Sequence, residues 1–232
     1  MDFGNLLLPR SPAQVPPGFW AEVTVNRILV VVAVVLSIFA LRDFFSLWPL
    51  LSGCLVRSRG NVEIEHSVSQ ARNRNRCAAV GVFILCLLSD RYSLYNADFL
   101  KAIPSWWRVA FQVGVAAAFL LLRQFVYVLI DTITRTKMDS ENRIAAHRAL
   151  YNYFLAALPL LLATVAIMWM FHLPDSSVRW ALLTELAVAL TIALIREGQI
   201  LRSKHSGLQT FLYLCGLELI PVAALVLSAM FL

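Results

Sequence analysis

Apolar residues in this chain gather into six runs, and the polar residues between them are crowded into short connections. The first run covers residues 27–47 around ILVVVAVVLSIFAL, and the others cover 77–95, 109–130, 149–171, 179–199 and 208–232. A bilayer core about 30 Å thick takes about 20 helical residues at 1.5 Å each, so the lengths fit membrane-spanning helices. The second run has only twelve strongly apolar residues, CAAVGVFILCLL, before Asp90 and Arg91. That length suits a short, tilted or protein-surrounded span. The pattern predicts an all-α, polytopic membrane protein with about six transmembrane helices in one bundle, an arrangement that satisfies every backbone group inside lipid. No internal repeat is visible, so an inverted-repeat transporter has no support.

The connections carry their own signals. Residues 1–26 form an arm with Pro9, Pro12, Pro16 and Pro17, residues that break helices, and Phe19 and Trp20 supply an aromatic anchor at the headgroups. The main polar segment, 53–76, sets Arg57, Arg59, Arg72, Arg74 and Arg76 against Glu63 and Glu65, and VEIEHSVSQARNRNR can form a short surface helix. It reads as a solvated basic face or as a docking loop for an acidic partner. Pro104, Trp106 and Trp107 mark an interfacial belt, and HLPDSSVR reverses the chain between the fourth and fifth runs.

Composition agrees: 59% hydrophobic residues, 15% charged and a mean hydropathy of +0.71 are too apolar for a soluble domain of this size. The net charge of +6 does not point to nucleic acid, because the basic residues sit in short loops. The loops at 53–76, 131–148 and 196–207 hold 12 of the 20 lysines and arginines, and the opposite side holds 6. These loops are expected in the cytoplasm and both termini in the periplasm, in a bacterial inner membrane, with the first span acting as the targeting signal. Cys54, Cys77, Cys86 and Cys215 lack metal-ligand spacing and read as inert thiols.

Charges inside the runs are the informative residues. The last run, LQTFLYLCGLELIPVAALVLSAMFL, carries Glu218 near its middle and Pro221 one turn on, where proline disturbs the carbonyl of Leu217. A carboxylate at that depth costs about 2.5 kcal/mol or more unless it is paired, protonated or facing a polar cavity. Arg42, Arg123 and Glu218 all lie roughly 10–15 Å from the cytoplasmic ends of their runs, so an intramembrane charge cluster is expected. It either locks helices together or lets Glu218 take up a proton or cation. Arg42 can instead pair with Asp43 and leave the cluster. Glu185 and Thr184 form a candidate polar pathway, although Thr184 and Thr191 are the more ordinary hydrogen bonders between helices. Arg196 and Glu197 read as interfacial charges. His66, His147, His172 and His205 all lie in loops or at run ends, which leaves no haem ligands in the apolar zone. There is no lysine within a run, no HExxH, no GxSxG and no deep pair of aspartates, so no catalytic residue, metal or cofactor is expected.

The segment FLYLCGLELIP resembles the closing signature, LYLCTLEILP, of a Bacteroidota family of multi-pass inner-membrane proteins known only as a domain of unknown function. Leu212, Tyr213, Leu214, Cys215, Leu217, Glu218 and Pro221 match it, while Gly216 replaces a threonine. FLLLRQFVYVLI, with Arg123 where the family has lysine, and YNYFLAALPLLL, with Pro159, are also similar. The resemblance implies an inner-membrane protein of about six spans and no assigned activity.

With no catalytic constellation in view, the leading expectation is a non-enzymatic subunit or scaffold of a cell-envelope or protein-export complex, held in the lipid bilayer beside membrane-protein partners and without nucleic acid. One alternative is a small proton- or ion-coupled transporter subunit using Glu218, Arg123 and Glu185. The other is an intramembrane lipid-modifying enzyme.

Overall fold

The computed structural model describes residues 20, 22–56, 61, 64, 67–95, 100, 103–134, 140–202, 210–211 and 214–231, and all regular structure among them is helical. The helices are α1 (Thr24–Val56), α2 (Val68–Tyr92), α3 (Ser105–Thr134), α4 (Ser140–Met170), α5 (Asp175–Arg202) and α6 (Ile220–Phe231), with a π turn at Cys215–Leu219 leading into α6. Four of them hold segments long and apolar enough to cross a membrane: Thr24–Cys54, Trp106–Leu129, Arg148–Met170 and Asp175–Arg202. The chain is a helical membrane protein. Among the described residues these helices account for four of the six expected spans, and the second and sixth runs are not among them.

The second run is the inner half of a longer helix. From Val68 onward the residues of VEIEHSVSQARNRNR are the first turns of α2, which continues into the apolar stretch; before them Asn61 and Ile64 are helical and buried, and residues 62, 63, 65 and 66 lie outside the described residues. That polar start dilutes its hydropathy, and its position removes the need for more: α2 packs against α1, α3, α4 and α5. A helix surrounded by protein need not be apolar all round. Of the sixth run, residues 208, 209, 212, 213 and 232 lie outside the described residues; the described part holds the π turn followed by a regular helix of 12 residues.

Consecutive helices run antiparallel. Ala33 of α1 meets Leu87 of α2 and Val109 of α3 toward one end, while Leu47 and Leu51 of α1 meet Cys77 and Ala78 of α2 with Ala149 of α4 toward the other. At the first end, Trp20 Nε1 donates to Asp90 Oδ2 at 2.6 Å, and Arg91 pairs with Asp175 of α5 at 3.2 Å with its guanidinium 5.9 Å from the Trp20 ring. The charges that end the second run therefore close this end of the bundle. Of the proline-rich arm, residues 1–19 lie outside the described residues, and residues 24–26 already belong to α1.

Gly81 brings α2 close to α4. A Cβ there would stand 3.0 Å from the Phe154 ring and 3.1 Å from Leu158 Cδ2. Small residues permit such close approach of helices in lipid. Gly81→Leu is expected to lower stability by about 1–3 kcal/mol, because its side chain must displace both neighbours. Gly81→Ala is expected within about 1 kcal/mol of the parent, since alanine's better helix propensity offsets a small shift of Phe154. Unfolding midpoints in one detergent check the pair, and an unchanged midpoint for Gly81→Leu would mean that α2 and α4 are not in close contact.

Candidate functional site

Helical geometry on α3 sets the centre of the site. Leu121 and Phe125 are strongly exposed to the lipid side, and Arg123, two residues from each, points the other way and is fully buried. It lies seventeen residues along the helix from Trp106, about 25 Å deep at 1.5 Å per residue. Its partner arrives on the π turn. Pro221 has no N–H to close a regular turn onto Leu217, and the chain widens so that Ile220 N–H bonds Cys215 O five residues back. Glu218 sits inside this widened turn and is 1% exposed. Arg123 Nε donates to Glu218 Oε1 at 2.9 Å, and Nη2 donates to the same oxygen. The expected intramembrane pair of Arg123 and Glu218 is present.

A second carboxylate joins it. Glu197 of α5 is 1% exposed, with Oε1 3.7 Å from Arg123 Nη2. Both carboxyls therefore approach the same guanidinium nitrogen, Arg123 Nη2. One guanidinium offsets only one of the two negative charges, so two ionised carboxylates here would leave a buried charge without a counter-charge. Glu197 Oε1, Glu218 Oε2 and Arg123 Nη1 have no hydrogen-bond partner among the described residues. The Tyr151 ring of α4 covers the guanidinium, its centroid 5.4 Å from Arg123 Cζ, a cation–π contact.

Glu197 corrects the reading of that residue as an ordinary interfacial charge. The signal was available: Val178, Leu182, Ala193, Glu197, Ile200 and Leu201 form the buried stripe of α5, and Glu197 lies on it at helical spacing. Arg42 is the opposite correction. It is exposed on α1 among the exposed Ile38, Phe39, Leu41 and Phe45, and it does not enter the cluster. Nor does Asp43 hold it, since Asp43 pairs with Arg76 of α2 at 3.7 Å. Equal depth did not bring Arg42 inward, because its side of α1 faces away from the bundle.

Glu185 accepts a hydrogen bond from Thr164 of α4, but it lies twelve residues from Glu197, about 18 Å along α5. Thr184 and Thr191 are exposed and bond to Trp180 O and Ala187 O on their own helix, so neither links helices nor extends a polar path from Glu185. In the basic segment, Arg57 and Arg59 lie outside the described residues, Arg72 and Arg76 are exposed, and Arg74 is fully buried rather than solvated. Burial, with Arg148 adding repulsion, pushes the Arg74 guanidinium down to about 10, which leaves it charged at neutral pH. Asn61 and Asn152 complete this polar layer. Asn152 Nδ2 donates to Asn61 Oδ1 at 2.9 Å, Asn61 Nδ2 donates to Tyr153 Oη at 3.0 Å, and Tyr153 Oη donates to Cys54 O at 3.2 Å.

Beside the charge site lies a cavity of about 290 Å³ among α2, α3, α4, α5 and α6. Phe119, Phe154, Leu190 and Leu225 line its body, Tyr151 stands at one end, and Gln112 at the other.

Arg123→Ala is expected to destabilise the protein by about 3–5 kcal/mol, the loss typical of leaving a buried charge unpaired. Arg42→Ala is expected to stay within about 0.5 kcal/mol of the parent, as for an exposed side chain without a packed environment. Chemical unfolding of both variants in one detergent checks the contrast, and equal losses would return Arg42 to the cluster.

No curated protein and no solved structure matches this chain. A family does: the chain matches, over residues 28–227, the family described as domain of unknown function DUF4271, and it belongs to that family.

Proposed function

We propose that this chain is a six-span protein of a bacterial inner membrane, both termini periplasmic, that works without catalysis as a proton-coupled subunit holding an exchangeable proton at Arg123, Glu197 and Glu218. The observation that carries this reading is that two buried carboxyls, those of Glu197 and Glu218, approach one guanidinium nitrogen, Arg123 Nη2. Arg123 balances one negative charge, and a proton on one of the carboxyls balances the other. The charged side chains that meet at this site are Arg123, Glu197 and Glu218, with the Tyr151 ring packed on the guanidinium. A purely structural lock needs one acid and one base. The second acid gives the proton-coupled reading its support over a passive scaffold. The lining of the neighbouring cavity supplies no carboxyl, imidazole or amine, which favours a non-enzymatic role over lipid modification.

The scaffold reading keeps one observation of its own. α1 is the least buried of the four long apolar helices, with Ile38, Phe39 and Phe45 turned outward around Arg42, a face suited to a partner helix.

Glutamine imitates a protonated glutamate, so Glu197→Gln and Glu218→Gln are each expected to fold while removing the shared proton. In the infrared, the parent minus variant difference at neutral pH should show a protonated-carboxyl band that shifts in deuterium oxide. A parent spectrum identical to both variants in that region would mean that the site holds no proton, and the proton-coupled reading would be withdrawn.

A further inference from the structure

The cavity beside the charge site is apolar along its body and polar at its ends. Its volume, about 290 Å³, falls near the lower limit for pockets that hold organic molecules. Along α3 its lining runs from Gln112 to Leu120, eight residues or about 12 Å, which makes it elongated along the membrane normal. The space arises from helix spacing: α3 packs on α2 and α6 and makes no comparable contact with α4 or α5, although Arg123 joins it to α5 through Glu197. Water gains little in such a space, because a buried water needs two or more polar partners and the body provides none.

Ser89, Tyr95 and Tyr153 also line the cavity, but their hydroxyls are engaged with Tyr95 N–H, Ser228 and Asn61, whereas Gln112 differs. It is 6% exposed, it lines the cavity, and its side-chain amide makes no hydrogen bond among the described residues. An amide that keeps free donors and a free acceptor in apolar surroundings gains from a carbonyl or hydroxyl brought there by a ligand. Gln112 lies six residues from the interfacial Trp106, about 9 Å below that belt. That is just inside the hydrocarbon boundary, where the ester carbonyl of a phospholipid meets its acyl chain.

We propose that the cavity is a binding site for one acyl chain of a phospholipid from the leaflet nearest Trp106, its ester carbonyl accepting a hydrogen bond from the Gln112 amide. The chain lies along Phe119 and Phe154 and ends against Tyr151, the ring that covers Arg123. The lipid thus packs against the ring on the guanidinium without touching a charge. The site does not depend on the proton-coupled reading, since it requires only the helix spacing and the unpartnered amide.

The test uses the full chain in vesicles of phosphatidylethanolamine and phosphatidylglycerol containing a tracer phospholipid with a photoreactive group midway along one acyl chain. After illumination, labelled peptides should include those around Phe119 and Phe154, in addition to the lipid-facing Phe39 and Phe125. Ala116→Trp and, separately, Ala157→Trp fill the cavity from α3 and α4. Each should reduce labelling at Phe119 and Phe154 roughly tenfold, the change expected from about 1.4 kcal/mol of lost binding, while labelling at Phe39 and Phe125 stays unchanged. Gln112→Leu, which keeps the space and removes the amide, should reduce it less. The proposal is overturned if Phe119 and Phe154 are unlabelled in the parent, or if the folded filling variants label them equally. It is also overturned if an isoprenoid quinone added to the vesicles displaces the label, which would assign the space to a different ligand.

Discussion

A guanidinium placed inside lipid has to be answered by negative charge at contact distance, and in this protein a single guanidinium organises three parts of the chain. Arg123 brings α3 to the π turn through Glu218 and to α5 through Glu197. Attraction between these groups is strong because little water separates them, and for the same reason losing any one member leaves a neighbour exposed to the low dielectric. The local departures nearby serve this contact: the widened turn before Pro221, the glutamate on an otherwise apolar stripe of α5, and the tyrosine laid over the cation.

The bundle is tied at its two ends more firmly than in its middle. One end is closed by Trp20 on Asp90 and by Arg91 on Asp175, and the other by the charge site and the bonds among Asn61, Asn152 and Tyr153. Between these layers α2 forms the axis, meeting α4 closely at Gly81, while α3 stands away from α4 and α5 and leaves the apolar cavity. Polar contacts at both ends hold helices at a distance that side-chain packing alone would not fill. A space of this kind is tolerable in a membrane, where apolar chains are available to occupy it.

How much of this was legible in the sequence follows from which coordinate each argument measures. Run lengths and hydropathy measure contact with lipid, so they found the four long apolar helices and undervalued α2, whose surroundings are protein. Counting residues from the ends measures depth, and depth brought Arg123 and Glu218 together correctly. Depth carries no information about direction around a helix axis, which is why Arg42 was grouped with them. On α1 nearly every position is apolar, so no stripe reveals which side faces inward. On α5 a buried stripe exists and Glu197 lies on it, so that residue was open to discovery by periodicity. The π turn was legible only as disturbance near Pro221; nothing in the composition states that the chain would widen rather than kink.

The widened turn also bears on the segment after it. A π turn takes in about one residue more than an α turn, and each residue of regular helix advances the chain by about 100° around the axis. Val222, Leu225 and Ser228 therefore owe their angular phase to a local ring closed between Cys215 and Ile220. Ser228 reaches Tyr95 at 2.9 Å in that phase, so the azimuth of the chain's closing segment is dictated from within its own backbone, upstream of any neighbour it touches.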